Sequence, residues 1–201
     1  MPTSNARDER CAIILCGGRS ERFGTDKAMV VHRGRTLLER AIECAGARTG
    51  QVVLATGPSA RYATCGLAVA LDAPGEDGPL AGIRAGLGAT DRPYIFVMAV
   101  DLANLAPAAL DTLSDELHRD DAIDLVMPRT GRGLEPLLFL ARREPLVAAA
   151  ARLIAMNDPS PRRLAEVMAA RLLDVSPDPH DPLHRALANI NTPADLAAID
   201  G

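Results

Sequence analysis

Short apolar runs alternate along the chain with segments whose apolar residues return every three or four positions. The first run, Ala12-Ile13-Ile14-Leu15, has the length and β-branched content of a buried parallel strand and stops at Gly17-Gly18. Residues 28–31 form a brief apolar stretch and Arg33-Gly34-Arg35 a turn. From Thr36, placed to cap a helix, Leu37, Leu38, Ala41, Ile42 and Ala45 follow helical spacing. Strands are predicted at 51–56, ended by Gly57-Pro58, and at 67–71. A Gly/Pro/acid loop then leads into a helix over 80–87. Residues 94–100, YIFVMAV, are the most apolar run and therefore the expected central strand. Beyond it the pattern predicts a helix over 108–117, a strand at 124–128, strand-like alternation within 134–143, helices over 145–156 and from 160, and a last strand at 171–175. Strands separated by helix-like sequence predict βαβ units and a parallel sheet. No internal repeat or linker divides the chain, so a polar tail at 1–10 and one domain over 11–201 are expected.

Composition narrows the class. At 201 residues, 48% hydrophobic and 24% charged, the chain is globular, and with 2% aromatic residues its core must be Leu, Val, Ile and Ala. A net charge of −4, no Trp and two Tyr leave neither a basic footprint nor stacking material for nucleic acid. No apolar run has membrane-spanning length, and the opening MPTSNARDER lacks the apolar stretch of a signal peptide, so a cytoplasmic protein is expected. The cysteines at 11, 16, 44 and 65 show no CxxC and no zinc spacing, and Cys11 and Cys16 are expected as small buried residues. His32, His118, His180 and His184 show no ligand spacing and are expected at the surface.

Candidate chemistry begins where the first strand ends. Gly17-Gly18 is followed by Arg19, Arg22, Gly24 and Lys27 before any helix starts. Glycines let backbone approach a phosphate, and the cations match its charge. The spacing is neither GxxxxGK[ST] nor GxGxxG, so a nucleotide loop of another kind and a plain basic loop both remain. Lys27 is the only lysine among the 22 Lys and Arg residues. Asp72, at the end of the third strand, suits either a base or ribose acceptor or a turn. Asp101 ends the central strand on the same edge as the glycine loop, where a magnesium ligand is expected; a cap or turn is the alternative. Asn104, ahead of Pro107, would take the capping job from it. Arg162 and Arg163, early in a helix, fit an anionic ligand or a solvated face equally. Thr192-Pro193-Ala194-Asp195 is explained as a helix start, whereas Asn189 and Asn191 project to one side of an extended segment.

The string Leu15-Cys16-Gly17-Gly18 with Arg22-Phe23-Gly24-Thr25-Asp26-Lys27-Ala28 resembles the signature loop of nucleotidyltransferases, and in particular of the molybdenum cofactor guanylyltransferases. Gly78-Pro79-Leu80-Ala81-Gly82 and Asn189-Ile190-Asn191-Thr192-Pro193 resemble two further motifs of that family, and residues 136–143 a fourth segment, with Ala141 where Tyr is usual. Val100-Asp101-Leu102-Ala103 keeps the acid of the family's Cys-Asp-x-Pro but not its Cys or Pro. The resemblance covers nearly the whole chain. It implies a three-layer α/β/α fold with a mostly parallel, Rossmann-like sheet. It implies transfer of GMP from GTP to the terminal phosphate of molybdopterin, or of its molybdenum form, with Mg²⁺ as cofactor and release of pyrophosphate. It places the nucleotide against Leu15, Cys16, Gly17, Gly18, Asp72, Gly78, Pro79 and Leu80, with Arg22 and Lys27 on its phosphates and Asp101 on the metal. Asn189, Asn191 and Arg162 would meet the acceptor. Molybdoenzymes or other cofactor-biosynthesis proteins are the partners it suggests. The rivals are a cytidylyltransferase, whose loop usually has Ala-Ala-Gly and which lacks the GPLAG motif; a nucleotidyltransferase with another acceptor; and a non-catalytic nucleotide-binding adaptor, motivated by the altered segment at 100–103.

Overall fold

The structure is a computed structural model, which describes residues 4–17 and 26–187. A short helix, α1 (Ser4–Asp8), precedes β1 (Arg10–Leu15). The segment expected as a polar tail is thus helical in part, and the first strand begins at Arg10. A 3₁₀ turn (Lys27–Met29) and a hairpin of β2 (Val31–His32) and β3 (Arg35–Thr36) lead into α2 (Leu37–Gly46). Then come β4 (Gln51–Ala55), β5 (Ala68–Ala70), α3 (Pro79–Leu87), β6 (Tyr94–Ala99) and α4 (Pro107–His118). The last third holds β7 (Leu125–Thr130), β8 (Gly133–Leu134), β9 (Leu138–Arg142), α5 (Arg143–Ala155), α6 (Leu164–Val167), β10 (Ala170–Asp174) and α7 (Pro182–Ala186).

The main sheet has the order β10-β7-β9-β6-β1-β4-β5, with β8 pairing β7. The pairs β10/β7, β6/β1, β1/β4 and β4/β5 are parallel; β9 runs antiparallel to both neighbours. Side chains of a strand alternate between faces, so β1 sends Ala12 and Ile14 to one layer and Cys11 and Ile13 to the other, all fully buried. The first layer is closed by α2, α4 and α7 through Leu37, Leu110 and Leu183; the second by α3, α5 and α6 through Ile83, Leu146 and Leu164. The architecture is therefore the three-layer α/β/α fold with a mostly parallel sheet, and the apolar run at 94–99 is its central strand β6.

Local chemistry explains the element ends. The Glu39 amide donates to Thr36 Oγ1 at 3.1 Å, and Glu39 Oε2 accepts from the Thr36 amide at 2.7 Å, a capping box that opens α2. Three expectations need correction. Asn104 does not cap α4: the N-cap is Ala106, with no side-chain bond, and Asn104 sits earlier in a turn closed by the Leu105 amide on the Leu102 carbonyl. His32 is buried, 1% exposed, because β2 folds its side chain inward while Val31 faces out. The crossover from β4 to β5 carries only a 3₁₀ turn (Ala63–Cys65) and no α-helix.

One close approach fixes the second layer. A Cβ at Gly86 of α3 would lie 2.6 Å from Ile13 Cγ2 and 2.8 Å from its Cδ1. Ile13 is wholly enclosed and has nowhere to move. Glycine here lets α3 lie directly on β1. Gly86→Ala gains roughly 1 kcal/mol of helix propensity but costs about 1–3 kcal/mol in overpacking, so net destabilisation is expected. Gly46, at the end of α2, has nothing within 4 Å of its would-be Cβ. Gly46→Ala is therefore expected to be neutral or stabilising, and urea midpoints of the two variants at unchanged slope check the opposite signs.

Candidate functional site

The chain leaves β1 toward β4 on one side and returns through α3 to β6 on the other, so β1/β6 is the point where the strand order reverses. In open α/β sheets ligands bind at the carboxyl ends of strands at such a point. Lys27 and Asp101 meet there: Lys27 Nζ donates to Asp101 Oδ2 at 2.7 Å, with side chains 18% and 23% exposed. Asp101 stands one residue beyond β6, after Val100, whose amide binds the Leu15 carbonyl at 3.1 Å. Lys27 opens the 3₁₀ turn whose cap is Asp26. The only lysine and the acid at the central strand's tip thus form one ion pair, and Asp101 is not a helix cap.

The floor beside this pair is built of strand tips. Gly17 lies so close to the next loop that a Cβ would be 2.7 Å from the Gly57 nitrogen. The Gly57 carbonyl in turn accepts from the Asp72 amide at 3.0 Å. Asp72 Oδ1 is buried without a hydrogen-bond partner among the described residues, near Gly82 of α3. Burial, and after it Asp77 and Glu76, raise the Asp72 carboxyl above its ordinary value. Gly78, with φ 87°, and Pro79 are exposed at the start of α3, but Leu80 is fully buried and anchors that helix. Leu15 lies under Gly82, and Cys16 is enclosed, its thiol pushed up to about 12 by burial and so not a nucleophile. Gly18, Arg22, Asn189 and Asn191 lie outside the described residues.

On the other side of Asp101 a cavity of about 210 Å³ opens between Asp101, Glu135, Leu137, Arg162 and Leu187. The alternating segment 134–143 splits into β8 and β9, and the turn between them, 135–137, forms part of this wall. The two neighbouring arginines separate: Arg163 is paired with Asp158 at 3.0 Å and with Glu166, while Arg162 lines the cavity beside Gly133. Asp72, past β5, and Arg162 are thus on opposite sides of the Lys27–Asp101 pair, and the cavity beside Arg162 is lined by the carboxylates of Asp101 and Glu135 as well.

Arg61 and Tyr62 had no local signal in the sequence. Arg61 Nη2 donates to the Cys16 carbonyl at 3.1 Å and the Thr56 carbonyl at 3.3 Å, and Arg61 Nη1 lies 3.5 Å from Asp26 Oδ2. The Tyr62 hydroxyl donates to the same Asp26 oxygen. Burial and this bond raise the Tyr62 phenol, so it remains a donor. The residues are remote from Asp26 in sequence, and only the sheet order brings them together.

The chain is similar in sequence and fold to known proteins. Residues 12–175 match the family described as MobA-like NTP transferase domain. A probable molybdenum cofactor guanylyltransferase of Chloroflexus aggregans is 34% identical over 196 residues, covering 93% of this chain and 91% of that protein. A molybdenum cofactor guanylyltransferase of Rhodobacter capsulatus is 33% identical over 200 residues, covering 92% of each. Among solved structures, molybdopterin-guanine dinucleotide biosynthesis protein A of Archaeoglobus fulgidus superposes with a TM-score of 0.76 at 24% identity, over 94% of this chain and 95% of that one.

The state of Asp72 yields a test. Its folded carboxyl titrates above its unfolded value, so its ionised form costs stability once pH has risen through the folded value, and that cost vanishes below the usual carboxylate range. Asp72→Asn is expected to raise the melting temperature by a few degrees at neutral pH, with the gain shrinking on acidification. Equal melting temperatures for variant and parent across pH 4.5 to 7.5, a window of about three units chosen to span the carboxylate range, would show Asp72 to be solvated.

Proposed function

The chain belongs to the MobA-like NTP transferase family, and we propose that it transfers GMP from GTP to the terminal phosphate of molybdopterin or of its molybdenum-loaded form. The observation that carries the reading is the Lys27–Asp101 pair at the strand-order reversal, with the Asp72 floor on one side and the Arg162 cavity on the other. The names of the relatives support guanine as the base and molybdenum cofactor as the acceptor. An acceptor oxygen forms a bond to the α-phosphorus as the bond from that phosphorus to the β-phosphate bridge breaks, and pyrophosphate leaves with the electron pair. No covalent nucleophile from the protein is needed, so catalysis is positioning and charge compensation.

Asp101 offers a hard oxygen donor, partly open to water and next to a cavity, which fits Mg²⁺. Among the described residues no three acidic, His or Cys side chains converge, so Asp101 would share the ion with triphosphate oxygens. Bound there, Mg²⁺ supplies neutralisation of the charge that builds on the departing pyrophosphate. Lys27 then turns its ammonium from Asp101 to the phosphates. Gly17, Gly18, Gly78 and Pro79 would let the nucleotide approach the backbone, and Arg22 would add positive charge against its phosphates. Leu15, Cys16 and Leu80 serve from beneath, as packing. Arg162 would meet the acceptor, a role the resemblance also gives to Asn189 and Asn191. No helix among the described residues is long and apolar enough to cross a membrane. The reading places the reaction in the cytoplasm, with molybdoenzymes or other cofactor-biosynthesis proteins receiving the product.

Pyrophosphate release from Mg²⁺ and GTP, dependent on molybdopterin, is the decisive assay. By calorimetry CTP is expected to bind far more weakly than GTP, and equal affinity would transfer the reading to a cytidylyltransferase. Asp101→Asn is expected to keep the fold and lose most turnover, and full activity across a Mg²⁺ titration would remove Asp101 from the metal site. Lys27→Ala is expected to lower kcat roughly a hundredfold with little change in GTP affinity, and Lys27→Arg to restore it only in part, because a planar fork does not replace a point charge. Arg162→Ala and Asn191→Ala are expected to weaken acceptor affinity about tenfold or more while GTP affinity stays unchanged. A loss of GTP binding instead would move the acceptor away from this wall.

A further inference from the structure

We propose that Arg61 and Tyr62 are positioning residues that hold Lys27 in its working place by clamping the two flanks of segment 18–25. The inference rests on the nucleotidyl-transfer reading of Lys27, and its geometry is as follows. The flank on one side is Cys16-Gly17, at the end of β1; the flank on the other is Asp26-Lys27. One guanidinium reaches both: Arg61 holds the Cys16 carbonyl with Nη2 and the Asp26 carboxylate with Nη1, and reaches the Thr56 carbonyl, just past β4, as well. Asp26 is held from three directions. Its Oδ1 accepts from the Ala28 amide at 3.2 Å, and its Oδ2 receives Arg61 and the Tyr62 hydroxyl. The Ala28 bond caps the turn that begins at Lys27, so the orientation of that carboxylate sets the orientation of the lysine.

Two further observations mark this as a built arrangement. Tyr62 has φ 62°, a left-handed conformation that a bulky residue adopts only when its surroundings over-determine it. Its ring also lies under the Arg61 guanidinium, 5.4 Å from the centroid, so the two side chains fix each other. The Gly17–Gly57 contact brings the β4 loop close enough for Arg61 to span all three acceptors. A lysine at 61 would keep the charge but could not serve carbonyls and carboxylate together from one planar fork. The chain thus places Lys27 from behind, through residues that do not touch the phosphates.

The test uses Lys27 as a single chemical handle, since the chain has no other lysine. Tyr62→Phe and Arg61→Gln are compared with the full-length parent for melting temperature, for kcat and KM in GMP transfer, and for the rate at which acetic anhydride acylates Lys27, read by mass spectrometry of its peptide. Both variants are expected to acylate severalfold faster, because Lys27 leaves Asp101 more often, and to lose protection by GTP with Mg²⁺. Their kcat/KM is expected to fall about tenfold, the effect of one lost hydrogen bond to a charged group. Acylation rates and kcat/KM equal to the parent, with or without a lower melting temperature, would overturn the proposal and leave the pair a fold-holding contact. Faster acylation of the variants alongside a parent that transfers no nucleotide would uphold the clamp while refuting the transfer reading, because labelling of the amine does not depend on catalysis.

Discussion

Parallel strands are joined almost always by right-handed crossovers, and the directions the chain takes to either side of β1 set where the site stands. The chain leaves β1 for β4 through α2 and reaches β6, on the opposite side of β1, through α3. Moving first one way and then the other along the sheet with right-handed crossovers puts α2 and α3 on opposite faces, as their separate cores show. Lys27, which follows β1 in the chain, and Asp101, which follows β6, then meet at the carboxyl edge. Tight packing of Gly86 on Ile13 and of Gly17 on Gly57 keeps the strands, helix and loops around it in fixed relation. The meeting place is a consequence of topology, and the side chains of Lys27 and Asp101 need only to stand at the rim of the sheet's carboxyl edge.

An ion pair at such a rim suits exchange. In partial burial the two charges attract each other more than in water, and removing one leaves the other uncompensated. In the proposed reaction neither is left so. Lys27 would exchange the carboxylate for triphosphate oxygens, and Asp101 would hold Mg²⁺ in place of the ammonium, so that each charge would keep a partner throughout. A lone lysine at this position, in a chain that uses arginine elsewhere, fits a compact charge that must swing between partners.

Local pattern revealed much of this, and non-local contact the rest. The glycines at 17 and 18, the Thr36 cap, the helix at Pro79 and the apolar strand ending at Asp101 are short-range signals, and the structure places Gly17, Thr36, Pro79 and Asp101 at the corresponding ends of elements. Arg61 and Tyr62 carried no such signal, because their partners Cys16 and Asp26 are remote in the chain and the intervening crossover has no helix to read. Arg162 and Arg163 could not be told apart by sequence, since non-local packing and an ion pair with Asp158 tie down Arg163 and leave Arg162 to line the cavity. His32 was misplaced because a two-residue strand gives no periodicity from which to read its inward face.

The same logic settles what the departure at Val100-Asp101-Leu102-Ala103 means. A proline would hold this turn by fixing one backbone angle. Here Val100, Leu102 and Ala103 are buried, at 8%, 8% and 2% exposure, so the turn is held by its apolar contacts instead. The Leu102 amide binds the Ala99 carbonyl at 3.4 Å, the Leu105 amide the Leu102 carbonyl at 3.0 Å, and Arg40 of α2 donates to the Ala103 carbonyl at 3.1 Å. Two turns of hydrogen bonds and a cross-layer guanidinium constrain the backbone at several points where a proline would constrain it at one. Asp101 is consequently carried just past the strand tip with its carboxylate against Lys27. The altered residues therefore change how the turn is held and not what it presents, and they supply no argument for a chain that binds nucleotide without turning it over.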